Sequence, residues 1–93
     1  MKINITSNFQ KDVAKVEDIN ALKKLKEILK DLEKYDMPEL YSKIKILKLE
    51  GYNDYYRIRV GKYRIGAQIH KDTMILMRFL PRKIAYRFFP PKS

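Results

Sequence analysis

Tyr55-Tyr56-Arg57-Ile58-Arg59-Val60-Gly61-Lys62-Tyr63-Arg64-Ile65-Gly66-Ala67-Gln68-Ile69 is the stretch whose reading decides the fold. Two runs of β-branched and aromatic residues, alternating with period two, flank a Gly-Lys pair. Gly-X between two such runs is the signature of a two-residue hairpin loop with a type II′ turn. Counting outward from the turn pairs Val60 with Tyr63, Arg59 with Arg64, Ile58 with Ile65 and Arg57 with Gly66. Side chains directly opposite share a face, so Arg57, Arg59 and Arg64 converge on one side of the sheet. Ile58, Val60, Tyr63, Ile65, Ala67 and Ile69 line the other side, which is the core side.

Like charges facing each other in a hairpin cost a few tenths to roughly 1 kcal/mol. Three arginines in this register therefore work against folding unless an anion visits them. Arginine presents a planar fork that matches phosphate through two parallel hydrogen bonds. Gly66, opposite Arg57, removes a side chain from the middle of the patch and leaves room for a ligand or a backbone.

The charge distribution of the whole chain points the same way. Of 93 residues, 45% are apolar, enough for one domain spanning residues 1–93 with a single core. The net charge is +10, divided unevenly: through Tyr56 there are 11 lysines and 10 acidic residues, whereas from Arg57 onward there are 4 lysines, all 6 arginines and one acid, Asp72. A mixed Lys/Glu/Asp population describes a solvated helical surface. Arginines with almost no counter-charge describe either a polyanion site or the docking surface of an acidic partner. With no cysteine there is no disulfide, thiol nucleophile or thiolate metal site, and the lone His70, near a turn, reads as a surface residue that cannot build a zinc site. Neither a secretory leader nor a membrane span is visible, so a cytoplasmic address with no membrane contact is the expectation. No metal and no cofactor are expected.

Working outward, Lys2 to Thr6 alternates as a first strand, and Ser7 reads as the cap of a helix running to about Val16 with Phe9, Val13 and Val16 on one face. Asp18 caps a longer helix whose stripe is Ile19, Leu22, Leu25, Ile28 or Leu29, and Leu32. Met37-Pro38 marks the exit from that helix or a break just beyond it, and Glu39 to Lys43 reads as an irregular helical turn. Ile44 to Leu49 is a second strand, and Met74 to Leu80 follows the hairpin as a strand apolar on both faces. A three-residue loop at Lys71-Asp72-Thr73 would set Arg78 beside Gly66 on the arginine face; a two-residue loop would turn it into the core. After Pro81, residues Arg82 to Phe89 form a short helix or an extended tail. On a helix Arg82 and Tyr86 share a face, and Phe88-Phe89 is a core plug or a seat for a partner. The expected fold class is α+β: a small, mostly antiparallel twisted sheet in the order β-α-α-β-β-β-β, with two N-terminal helices on one face and a short C-terminal helix or tail.

This order, together with Leu47-Lys48-Leu49-Glu50-Gly51, the hairpin Tyr56 to Ile65 and the closing Arg82-Lys83-Ile84-Ala85-Tyr86-Arg87, resembles the RelE/ParE superfamily of small bacterial and archaeal toxins. The resemblance covers nearly the whole chain. Its RelE branch implies metal-independent cleavage of messenger RNA in the ribosomal decoding site, with the nucleotide's own 2′-hydroxyl attacking the adjacent phosphate, and restraint by an acidic antitoxin. It also implies residue roles: Arg57 and Arg59 near the scissile phosphate, Arg64 on the developing charge, and Arg82 and Tyr86 near the chain end as basic and aromatic partners. Lys62, Arg78, Lys83 and Arg87 are expected to contact the substrate. Relatives in the same superfamily inhibit DNA gyrase without cleaving RNA, and a plain nucleic-acid-binding module is a third possibility. Two departures stand out. Both hairpin positions are arginine where some relatives have lysine, and Pro81 stands where many have histidine, the residue best suited to proton transfer.

Overall fold

The computed structural model describes residues 1–52 and 54–90. Its elements are β1 (Lys2–Ile5), α1 (Ser7–Ala14), α2 (Ile19–Lys34), α3 (Met37–Lys43), β2 (Ile46–Lys48), β3 (Tyr55–Val60), β4 (Tyr63–His70), β5 (Thr73–Pro81) and α4 (Arg82–Phe88). The strands form one five-stranded sheet in the order β1-β5-β4-β3-β2. β1 runs parallel to β5, and every other pairing is antiparallel. This is the expected α+β class with a mostly antiparallel sheet. The helix count differs: Pro38 lies in the first turn of a third helix, where its missing N–H is no loss. α2 ends at Lys34, and the break expected just beyond it is the start of α3.

The β3–β4 hairpin has the register that counting from the turn gives, with Val60 opposite Tyr63, Arg59 opposite Arg64 and Arg57 opposite Gly66. Gly61 takes φ +58°, and among the described non-glycine residues only Asp54 and Lys71 have positive φ. One left-handed residue at the first turn position followed by an ordinary one is the type II′ pattern.

The helical caps follow local chemistry. Asp18 accepts from the Ala21 amide and starts α2 as expected. For α1 the cap is Thr6, one residue before the expected Ser7: its hydroxyl accepts from the Phe9 amide at 3.1 Å. The same hydroxyl lies 3.0 and 3.1 Å from the Leu76 and Met77 carbonyls, to which it donates. It ties the end of β1 to β5.

That tie falls at a β-bulge. His70 pairs with Thr73, so the loop contains only Lys71 and Asp72, and pairs continue to Ala67 with Leu76. The next pair is Gly66 with Arg78, which leaves Met77 as the extra residue. A two-residue loop alone would have turned Arg78 toward the core. The bulge restores the parity and returns Arg78 to the arginine side, the position that a three-residue loop was expected to provide.

One face of the sheet carries the core. Ile58, Val60, Ile65, Ala67, Met74, Leu76 and Phe79 are buried there with Phe9 of α1, Leu25 and Leu32 of α2, and Leu40 of α3. The Tyr63 ring stacks on Phe79 at 4.9 Å. The α2 stripe is offset from its expected line: Ala21 is buried, whereas Ile19 is 67% exposed at the helix start. α4 lies on the opposite face. Its Ala85 is buried, and Phe89, just beyond its end, seats its ring on Gly66, where it fills the space that an added Cβ would need. The gap at Gly66 is therefore filled by this chain's own aromatic plug rather than left open for a ligand. Phe88 is 51% exposed.

Candidate functional site

The register dictates the rows of the face opposite the core. Lys45, Arg59, Arg64 and Leu80 make one row, the first place held by the Arg59 amide donating to the Lys45 carbonyl at 2.9 Å. Leu47, Arg57, Gly66 and Arg78 make the next. Phe89 covers Gly66 in the middle of the second row, leaving an open cleft at the β2–β3 side. This cleft has a volume of about 430 Å³. Arg57, Arg59 and Arg64 form its floor, Tyr86 lines it from α4, and Tyr41 and Leu47 line it from α3 and β2.

Arg64 is held in place before any ligand arrives. Its Nη1 donates to the carbonyls of Gly61, at 2.9 Å, and Tyr63, at 2.8 Å. These neutral acceptors hold one nitrogen over the hairpin bend, and the guanidinium has further N–H groups to offer. Burial pushes its pKa below the ordinary guanidinium value, and repulsion from Arg59, Arg82 and Arg57 adds to the effect. An anion seated here relieves both burdens, because it favours the charged form. Arg57 lies over the Tyr86 ring at 4.4 Å from its centroid, a cation–π contact. Arg57, Arg59, Arg64 and Tyr86 thus share one cleft.

The remaining expected residues divide. Arg82 begins α4, where its amide donates to the Lys62 carbonyl at 2.8 Å, and its charge is close enough to depress Arg64. Lys62 and Lys83 line a second recess of about 340 Å³ around the hairpin bend, shared with Arg59, Arg64 and Arg82. Arg87 is exposed on α4 and does not line the main cleft. Pro81 ends β5 and sits at the N-cap of α4.

Arg78, also expected to contact the substrate, is already engaged within the chain. Its Nε and Nη2 donate to Asp12 at 2.7 and 3.0 Å, a two-pronged pair with a carboxylate that is only 7% exposed. Asp12 also accepts from the Phe79 amide at 3.0 Å. That amide lies beyond the end of the β1–β5 pairing, so Asp12 satisfies a strand edge and a cation together. The hydrogen bond to Asp12 raises the Arg78 pKa against the opposing effect of burial, and Phe88 lies 5.4 Å away. Arg78 thereby fastens α1 to β5. Asp12 was detectable in the sequence as an acid inside the Phe9–Val13–Val16 stripe. Lys45, Leu47 and Tyr41 come from the β2 edge and α3, and no motif singles them out.

None of the residues lining the cleft is a carboxylate or a histidine, and no cluster of metal-ligating side chains occurs among the described residues. The arrangement suits an anion with flat apolar appendages. No helix of the described residues is long and apolar enough to cross a membrane.

Comparison with known proteins agrees with this architecture. Residues 3–86 match the family described as the ParE toxin of type II toxin–antitoxin systems. Toxin RelE3 of Methanocaldococcus jannaschii is 40% identical over 91 residues, which are 97% of this chain and 100% of that protein. A chain of the RelB-RelE antitoxin-toxin complex from Methanococcus jannaschii superposes with a TM-score of 0.79 at 38% identity, covering 94% of this chain and 99% of the other. A chain of the archaeal RelE-RelB complex from Pyrococcus horikoshii OT3 gives a TM-score of 0.69 at 25% identity, covering 87% and 93%. A match over nearly its full length, by family, by sequence and by fold, makes this chain a member of the RelE/ParE superfamily of type II toxin–antitoxin toxins.

Proposed function

We propose that this toxin is a metal-independent endoribonuclease that cuts messenger RNA on the ribosome and is held in check by an acidic antitoxin. The observation that carries the reading is the convergence of Arg57, Arg59, Arg64 and Tyr86 on one open cleft with no carboxylate in its lining. In the reaction, the 2′-oxygen forms a bond to the adjacent phosphorus and the bond from phosphorus to the 5′-oxygen breaks. The products are a 2′,3′-cyclic phosphate and a 5′-hydroxyl. One proton leaves the 2′-hydroxyl and one reaches the departing oxygen.

Arg57 and Arg59 hold the phosphate, and Arg64, already aimed by the Gly61 and Tyr63 carbonyls, meets the charge that builds on the five-coordinate phosphorus. Donors placed in advance at a developing charge are worth several kcal/mol in a water-poor site. Arginine does not release its proton near neutral pH. Tyr86 therefore orients the 2′-hydroxyl and takes part in its deprotonation. Arg82 adds charge behind Arg64, while Lys62, Lys83 and Arg87 guide the flanking strand. The antitoxin part of the proposal draws on the solved RelB complexes of the two archaeal relatives and on the uncompensated cations of the cleft.

A second reading, inhibition of DNA gyrase without cleavage, is favoured by the matched family's description as a ParE toxin and by Pro81 at the expected histidine position. Primer extension on messages from cells expressing the chain separates the two. The nuclease reading expects new 5′ ends within translated messages. Growth arrest with full-length messages would overturn it in favour of the gyrase reading.

A further inference from the structure

Across from Tyr86 the cleft has a wall that phosphate chemistry does not use. Tyr41 follows the fully buried Leu40 on α3, which anchors the helix and leaves the Tyr41 ring 53% exposed. Leu47 sits opposite Arg57 in the β2–β3 register, so its side chain projects on the arginine side, where it is 56% exposed. Both line the same cleft as the three arginines, and neither belongs to the core cluster. Two large apolar groups facing water beside a phosphate-binding floor add nothing to the capture of a bare anion. An aromatic ring and a branched aliphatic chain next to guanidinium groups instead match both parts of one ligand, a phosphate and the flat apolar base joined to it.

We infer that Tyr41 and Leu47 form the seat for a nucleobase adjoining the phosphate held by Arg57, Arg59 and Arg64, and that Tyr41 sets the base preference of this site. The inference rests on the ribonuclease reading above and extends it to specificity. Tyr41 and Tyr86 occupy different walls, so they stack on different bases of one strand. A purine, with its larger face, is preferred on Tyr41.

The test uses fully 2′-O-methylated RNA hexanucleotides, which cannot be cleaved by their own 2′-oxygens. Each carries 2-aminopurine, or an abasic residue, at one of six successive positions. With the wild-type chain, fluorescence is quenched by stacking, and one position responds to Tyr41→Leu while a different one responds to Tyr86→Leu. Removing the base at the Tyr41 position weakens binding about 5- to 150-fold, the range of a single lost stack. Tyr41→Leu weakens binding of the intact strand by a similar factor, and the two losses do not add, as expected of direct partners. Tyr41→Phe keeps both affinity and quench.

No quenching by the wild-type chain, no position sensitive to Tyr41→Leu, or fully additive losses would each overturn the seat. Message cleavage in cells without Tyr41-dependent quenching removes the seat and keeps the nuclease. Growth arrest without cleavage, with the quenching pattern intact, removes the nuclease and keeps the seat.

Discussion

At the hairpin end of the exposed sheet face, Arg57, Arg59 and Arg64 share an open cleft, and among the described residues none has a carboxylate partner. At the β5 end of the same face, Arg78 is gripped by Asp12 and lies beside the Phe88 ring. The residue type and the side of the sheet are the same, yet one group lines an open cleft and the other is paired within the chain. The difference lies in what packs alongside. α1 brings an acid into contact with Arg78 at the β5 edge, whereas Glu27 and Asp31, which α2 brings to the recess beside Arg59 and Gly61, form no ion pair with a hairpin arginine. A cation's position in a strand fixes where it projects, and the neighbouring element fixes whether its charge is spent at home.

The sharpest way to break this comparison is Arg64→Ala. If the hairpin cations serve a ligand, the variant loses about 10²- to 10³-fold in cleavage rate, the range for removing one preorganised donor. It should keep its melting temperature, since a repulsive neighbour has gone. Single-turnover cleavage on programmed ribosomes and a thermal melt read the two quantities, and full activity would show that Arg64 is decorative.

Asp12→Ala probes the other end and should act on stability instead. Losing hydrogen bonds to a charged group and leaving Arg78 and the Phe79 amide without their acceptor costs about 2–3 kcal/mol. For a domain of this size the melting temperature falls by about 10–20 °C. Paired replacement by Asp12→Asn and Arg78→Met should recover part of the loss, because both charges are gone. Cleavage per folded molecule stays unchanged. A stable Asp12→Ala protein with altered cleavage would place Arg78 back in the site.

Phosphate itself offers a gentler test. At a concentration tenfold above its Kd it should stabilise the wild-type chain by about 1.4 kcal/mol relative to chloride at matched ionic strength. Arg64→Ala should remove most of that gain and Arg78→Met little of it. Equal stabilisation of all three proteins would mean that phosphate does not distinguish the two ends.

The smallest effect concerns the turns that bound these regions. Gly61 and Lys71 both adopt positive φ, +58° and +56°, but only glycine does so without strain. Lys71→Gly should therefore raise stability by about 0.5–1 kcal/mol, read as the midpoint of a urea melt, with cleavage unaffected.

Much of this was legible in the chain because it is local. The Gly61-Lys62 turn and the alternation beside it set the β3–β4 register, and Asp18 announced the start of α2. Arg78 reached its expected row by another route, a two-residue loop corrected by the bulge at Met77; the bulge is held by Thr6, 70 residues from Leu76. Gly66 read as room for a ligand because the residue that fills it, Phe89, lies 23 positions further on in a segment that pattern alone left as helix or tail. Leu47 and Lys45 joined the arginine face only once β2 was paired, since a three-residue strand carries too little periodicity to declare its own register.

From its sequence alone, this protein was bound to have a hairpin with three arginines on one side, an apolar opposite side, and nearly all of its net positive charge from Arg57 onward. Backbone sterics and side-chain alternation act between near neighbours and need no partner to take effect. Tertiary structure decided which arginine would be neutralised, what would cover Gly66 and which side chains would wall the cleft. Those outcomes depend on contacts such as Asp12 with Arg78, 66 residues apart, where the compensation of a charge is settled by whatever the fold brings within about 3 Å of it.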